Sequence, residues 1–349
     1  MRLDLSLGYW GSGAPPGWLE LVHEAERLGF GVVWAAEAYG SDAVTVLTWA
    51  AARTERIGVG SAVLQIPART PAMTAMTAAT LDALSGGRFR LGLGVSGPQV
   101  SEGWHGIAFD PPLARTREYV DVVRLALSRR PVTYAGNHYR LPLPGGQGKA
   151  LKLTLRPVRD RIPLYLAAVG PRNLELAGEI ADGWLALFYA PEHAADDRAR
   201  VAAGRSRAGR AGEPLDVVAT VPIVTGPDVA AAAEPVRRYA ALYLGGMGSS
   251  SRNFYNALAG RRGYREEVAV VQERYLAGEP AAAADAVPQR FLEEIALLGG
   301  QDRIVERMRA YAASGVTSLA LTPLASTLEE KLAALRAAAA ALDIAGVAR

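Results

Sequence analysis

GSAVLQIPARTP, Gly60 to Pro71, begins as a strand and ends as a helix. Ser61, Val63 and Gln65 alternate with Ala62, Leu64 and Ile66 until Pro67 breaks the period of two, and Thr70 and Pro71 then read as the cap and first residue of a helix. A buried-looking strand, a glutamine, an arginine and a helix N-terminus within one short span describe the rim of a ligand site on a strand-to-helix unit.

The unit recurs. Strand-like runs at 3–9, 32–36, 57–64, 89–95, 163–169, 184–188, 216–224 and 317–322 are mostly followed by helical patterns. Eight such alternations predict a parallel α/β sheet closed into a TIM (β/α)8 barrel rather than an open doubly wound sheet. Between Pro71 and Ser85, the residues Met73, Met76, Thr80, Leu81 and Leu84 share one face at helical spacing, and Gly86 and Gly87 end the helix. Leu174, Ala177 and Ile180 repeat the device behind Pro171.

Three connections are longer than a barrel needs: 96–114, 131–158 and 226–300. The second carries an alternation around a Gly-rich centre that predicts a β-hairpin arm. In the third, helical runs at 229–243 and 264–276 flank GGMGSSSRNFYN, a glycine- and serine-rich stretch with aromatics. Insertions at the C-terminal ends of barrel strands build active sites.

The chain has 349 residues, 50% apolar and 21% charged, which fits an ordinary globular protein with a sizeable core. Its formal net charge is +3, and basic residues are interspersed with acids, so no stripe for nucleic acid is visible. With no cysteine there is no disulfide, no thiolate nucleophile and no zinc site built on sulfur. Asp4 interrupts the apolar core that a signal peptide needs, and no apolar run reaches spanning length, so a cytoplasmic protein away from the membrane is expected.

GLGVSG, Gly92 to Gly97, matches a dinucleotide fingerprint on paper, but Gly92 and Gly94 fall inside a strand pattern. Glycines at alternate strand positions instead thin one face so that something flat can approach, or simply fit a crowded barrel interior. His23, His105, His138 and His193 lack metal-ligand spacing, so no metal site is expected. AAVGPRN, Ala167 to Asn173, puts a helix N-terminus beside Arg172, which suits a phosphate or merely shapes a tight turn. Glu37 follows a strand and would be enclosed by Trp10, Tyr39 and Trp104, which suits proton transfer; equally, it pairs with an arginine. Gln65 meets a heterocycle or satisfies loop backbone.

Taken together, VWAAEAYG, the long run GSAVLQIPARTPAMTAMTAATLDALSGGRFRLGLGVSG, ARTREYVDVVRLAL, the arm ending HYRLP, and IPLYLAAVGPRNLELAGEIADGW resemble the luciferase-like monooxygenase superfamily, most closely its coenzyme F420-dependent oxidoreductase branch. The resemblance implies one luciferase-like TIM-barrel domain over 1–349 and a bulge, often with a non-proline cis peptide, at Ala62 and Val63 behind the ring of a flavin or deazaflavin. It matches Glu37 and Ala38 to an acid-histidine pair, from which Ala38 departs. Ser96, Gly97, Pro98 and Val100 match a loop on the cofactor tail, and Ala168, Val169, Gly170 and Pro171 a turn before a phosphate-facing helix, with Arg172 added by its charge. Gln65, Thr70 and GGMGSSSRNFYN fall where relatives vary with substrate.

The expectation is therefore a hydride-transfer enzyme using coenzyme F420, with Glu37 and Tyr39 handling the proton and Trp10, Tyr39, Trp104 and Phe188 as apolar walls. Its partners would be a small organic substrate and a second copy in a homodimer. A reduced-FMN monooxygenase of the same fold, a cofactor-binding protein without catalysis, and a phosphosugar isomerase or lyase are the alternatives.

Overall fold

Eight strands run parallel around a closed barrel: β1 (Arg2–Gly8), β2 (Val32–Ala35), β3 (Gly58–Ser61), β4 (Phe89–Gly94), β5 (Leu164–Ala167), β6 (Gly183–Leu187), β7 (Asp216–Thr225) and β8 (Ser318–Pro323). Each pairs with the next, and β8 returns to β1 with Leu3 opposite Leu319 and Leu5 opposite Leu321. The computed structural model describes residues 1–249 and 252–348. Ser250 and Ser251 of the GGMGSSSRNFYN segment lie outside them.

Inward side chains fill the barrel, as its closure demands. Val32, Trp34, Tyr165, Leu185, Val218 and Ala320 form this inner layer, where Trp34 meets Tyr165 edge-on at 5.3 Å. Below it the packing turns polar: the Trp34 indole donates to Asp4 at 2.9 Å and the Tyr165 hydroxyl to Asp216 at 2.8 Å. Outward residues such as Leu3, Leu5, Val33, Val59, Leu91 and Leu319 pack under the helices.

The third strand breaks earlier than its period of two suggests, before Pro67 and at the bulge the family resemblance implied. β3 stops at Ser61, a cis peptide bond joins Ala62 to Val63, and Leu64–Gln65 resumes pairing with β4, Leu64 opposite Leu93. The neighbouring glycines make room for this bulge. A Cβ on Gly92 would lie 1.9 Å from the Ser61 carbonyl oxygen, and one on Gly94 2.6 Å from the Val63 side chain. What approaches the thinned face of β4 is thus the bulge itself, fastened by the Ser61 hydroxyl, which donates to the Gly92 carbonyl at 2.8 Å and accepts its N–H at 2.9 Å.

Helix Pro71–Leu84 starts as expected, with the Thr70 hydroxyl accepting the Met73 N–H. Its orientation differs from the hydrophobic pattern: Thr74, Ala75, Ala78 and Leu81 are buried, whereas Met73, Met76 and Leu84 point outward. Small residues let the helix lie close to the barrel and to helix Pro112–Leu127, so the longer apolar side chains are left on the surface.

Within 131–158, Tyr134–Ala135 and Arg140–Leu141 form the antiparallel hairpin. Residues 226–300 are mainly helical, closing around a second core that includes Val236, Leu244, Leu258, Val268 and Phe291. They also supply a short strand the sequence did not signal, Leu297–Gly299, paired parallel to the end of β7. Among the described residues no helix is long and apolar enough to cross a membrane.

Candidate active site

The C-terminal ends of the strands open into a cavity of about 980 Å³. That volume is at the upper end for small-molecule sites, with room for a multi-ring ligand and a second, smaller one. Its floor is the bulge, Ala62 and Val63, beside Gly94 and Val95 of the adjoining strand. Small side chains and backbone present a flat surface there, which suits the face of a planar heterocycle.

A polar lattice holds the loops around this floor. Arg69 pairs with Glu37 and reaches Asp42 at 2.6 Å. Glu37 Oε1 also accepts the Gln65 N–H at 3.0 Å, and Oε2 the Ala43 N–H at 3.3 Å. Gln65 in turn donates from Nε2 to the Ala38 carbonyl at 2.7 Å and accepts the Ser96 hydroxyl at 2.7 Å, tying the ends of β2 and β4 together. The structure thus pairs Glu37 with an arginine and bonds Gln65 within the loops, while both residues line the cavity.

Opposite stands helix Pro171–Ile180. Its cap, Gly170, has no side chain to bond the first-turn N–H groups, and a Cβ placed there would meet nothing within 4 Å. Arg172 is exposed beside it and has no ion pair among the described residues. Uncapped N–H groups, the positive end of a helix dipole and an unpaired guanidinium fit a phosphate-bearing tail. A flat floor and an anion socket in one cavity therefore suit a nucleotide-like cofactor.

Phenols fill the remaining wall. Tyr9, from the end of β1, has its hydroxyl pushed up to about 12, first by burial and then by the neighbouring Tyr39, Tyr243 and Tyr275. Tyr39 and Trp104 are exposed at the mouth. The 226–300 segment adds Tyr243, Met247, Phe254 and Tyr255.

Of the residues singled out from the sequence, Glu37, Ala38, Tyr39, Ala62, Val63, Gln65, Ser96, Gly97, Val100, Val169, Gly170, Pro171 and Arg172 all line this cavity. Pro98 and Ala168 do not. Pro98 opens helix Pro98–Gly103 without reaching the cavity, and Ala168 is buried, its carbonyl taken by the Trp184 indole at 2.9 Å. Two expected walls are corrected as well. Trp10 stacks on Trp18 at 5.2 Å, away from the cavity, and Phe188 is fully buried behind Tyr243 and Tyr255. Thr70 is spent on its cap. Sequence reading missed Tyr9, Leu113, Asn173 and Tyr243; Tyr9, next to the selected Trp10 at a strand end, had the clearest signal. No cluster of potential metal ligands occurs among the described residues.

Comparison with known proteins agrees with this geometry. The sequence profile of luciferase-like monooxygenases matches residues 9–318. A Mycobacterium tuberculosis protein named as a coenzyme F420-dependent oxidoreductase is 45% identical over 342 residues, 96% of this chain and 99% of that one. The 5,10-methylenetetrahydromethanopterin reductase of Archaeoglobus fulgidus is 28% identical over 85% of this chain and 86% of its own. Among solved structures, the coenzyme F420-dependent tetrahydromethanopterin reductase of Methanopyrus kandleri superposes with a TM-score of 0.81 at 25% identity, covering 97% of this chain and 98% of that one. The chain belongs to the luciferase-like monooxygenase family.

Proposed function

We propose that the protein is a coenzyme F420-dependent oxidoreductase, transferring hydride between the deazaflavin and a small organic substrate. The observation that carries this reading is the pairing, in one cavity, of a flat floor at the Ala62–Val63 bulge with an uncapped helix N-terminus beside Arg172. Similarity to the F420-dependent proteins supports deazaflavin over FMN. The chemistry the coenzyme supplies when bound is two-electron hydride transfer.

The protein's part is orientation and proton supply. Ala62, Val63 and Gly94 form the bed for the ring; Ser96, Gly97, Val100, Val169, Gly170, Pro171 and Arg172 surround the tail. Tyr39 and Tyr9 supply the proton from phenolic hydroxyls. Glu37, clasped by Arg69, acts through position: it fixes the Gln65 backbone and with it the edge of the bed. On this reading Glu37 serves the reaction by position, and direct proton transfer by Glu37 is the alternative that its pH profile tests.

The same reading takes 1–349 as one domain, in the cytoplasm, and pairs two copies. Trp49, Met73, Met76 and Leu84, exposed by 56%, 50%, 52% and 63%, give neighbouring helices an apolar outer surface that supports a homodimer. Equilibrium sedimentation of the wild type and Trp49→Asp tests that contact; a wild-type monomer at micromolar concentration rules it out.

The deciding experiment is calorimetric titration with F420 and FMN, each oxidised and reduced. Tight binding of the deazaflavin alone is expected. Preference for reduced FMN would overturn the assignment and direct attention to oxygen-dependent products.

A further inference from the structure

The cavity carries little charge. Among the described residues that line it, Glu37 and Arg172 are the only acidic or basic side chains. Glu37 has its oxygens engaged by Arg69, Gln65 and Ala43. Arg172 stands on helix Pro171–Ile180, at the anion socket. Among the described residues, none that the 226–300 segment adds to the lining is charged; Arg261 of that segment stands just outside it, its guanidinium donating to the Val169 carbonyl at 3.1 Å.

That side is aromatic and firmly backed. Tyr243 and Tyr255 pack edge to face, 5.0 Å between centroids and 85° between planes. Behind them, Phe188 meets Tyr243 at 5.5 Å and Tyr255 at 5.9 Å, again edge-on, and Phe291 closes the stack at 5.5 Å. Met247, from the same segment, adds a polarizable side chain able to follow an irregular apolar outline. Such a wall keeps its shape and gains free energy by covering apolar surface.

Its polar groups are neutral donors. Burial pushes the Tyr9 and Tyr255 hydroxyls up to about 12 and that of Tyr243 higher still, so all three stay protonated through the working pH range. A phenol O–H matches a carbonyl oxygen. A carboxylate or phosphate brought to the same wall would lose its water with no cation in exchange, and an ammonium would find no free carboxylate.

We propose that the substrate is an uncharged, predominantly apolar carbonyl compound, its hydrocarbon body against Tyr243, Met247 and Tyr255 and its oxygen hydrogen-bonded by Tyr9. This rests on the F420 reading only in giving Arg172 to the coenzyme tail. Specificity against phosphorylated and carboxylated compounds then comes from the missing cation rather than from any clash.

The test uses two ligands of nearly the same shape, 4-isopropylcyclohex-2-enone and 4-oxocyclohex-2-ene-1-carboxylate, titrated into the protein with and without saturating oxidised F420, with glucose 6-phosphate as a second anion. The neutral enone is expected to bind at least about 100-fold more tightly than either anion. Met247→Lys, which puts a cation on the wall, is expected to bring the carboxylate to within about 10-fold of the enone, and Met247→Gln, the uncharged control, is not. An anion that binds the wild type as tightly as the enone overturns the proposal, as does an enone that fails to bind the F420-loaded protein. Failure of F420 itself to bind, with the preference for the neutral ligand kept, counts against the coenzyme reading alone.

Discussion

Arg69 holds the carboxylate of Glu37 against the backbone N–H of Gln65, joining the end of β2 to the bulge of the third strand. The Glu37 side chain is only 6% exposed, so Arg69 compensates a charge that water barely reaches. Removing Arg69 leaves the buried Glu37 carboxylate without a cation, whereas removing both leaves only the more exposed Asp42 without its partner.

Arg69→Met is therefore expected to destabilise the fold by about 3 kcal/mol, and Glu37→Gln/Arg69→Met by much less. Urea unfolding of the two single variants and the double variant measures the coupling; additive losses would mean that the pair is not a unit. Glu37→Gln should lower turnover about 10-fold with the shape of the pH profile unchanged, because the residue acts by holding the Gln65 backbone at the edge of the floor. Loss of one limb of that profile would return Glu37 to proton transfer.

The two strand glycines should fail in different ways. At Gly92 a new Cβ meets the Ser61 carbonyl, which the bulge cannot move cheaply; at Gly94 it meets the Val63 side chain, which can give. Gly92→Ala should cost roughly 3 kcal/mol of stability as overpacking against backbone. Gly94→Ala should cost about 1 kcal/mol or less and instead weaken coenzyme binding about 10-fold, since Val63 lies in the floor. Thermal unfolding alongside F420 titration separates the two outcomes, and equal effects in both assays would contradict the geometry.

Why some of this was legible in the sequence and some was not is a matter of range. Strand and helix alternation is local chemistry, so all eight barrel strands could be read from neighbouring residues, whereas the period of two ran on to Pro67 and the break at Ala62 and Val63 came only from the family resemblance. The Glu37–Arg69 clasp joins residues 32 positions apart, and only closure of the loops selects this arginine among many. Helix Pro71–Leu84 misled for another reason. Hydrophobic spacing marks an apolar face but does not say what it will meet, and a close approach to the barrel favoured Ala75 and Ala78 over Met73 and Met76. Tyr243 was invisible as a site residue because Phe188, just past β6, and Tyr255, in helix Phe254–Ala259, meet it only once the chain has folded.

Arg172 is expected to act on the coenzyme tail and nowhere else. Arg172→Ala should weaken F420 binding about 10-fold and flatten its dependence on salt, because an exposed guanidinium and a phosphate interact through a screened charge. A deazaflavin fragment without the phosphate should bind the variant and the wild type alike. If the fragment also loses affinity, Arg172 touches the ring or shapes the floor, and the anion socket must be placed elsewhere.

At the opposite end of the barrel, Asp4 sets a pH dependence unconnected with catalysis. It is fully buried, accepts the Trp34 indole N–H at 2.9 Å and lies 3.6 Å from Arg2 Nε. Burial pushes its carboxyl up from 3.8 to about 6, with Arg2 and the indole bond pulling only partly against it. A folded-state value above the unfolded one means that folding favours the protonated acid, so this contribution is complete below about pH 4 and lost as pH rises through 6. Asp4→Asn keeps an acceptor for Trp34 and cannot ionise. Relative to the wild type it should therefore gain on the order of 2–3 kcal/mol between pH 4 and pH 7.5, on top of any constant offset from losing Arg2's second partner. Urea unfolding at both pH values measures the difference. A gap between variant and wild type that stays constant, or that moves in the variant's disfavour as pH rises, would show that Asp4 is ionised in the fold throughout and that Arg2 fully compensates its burial.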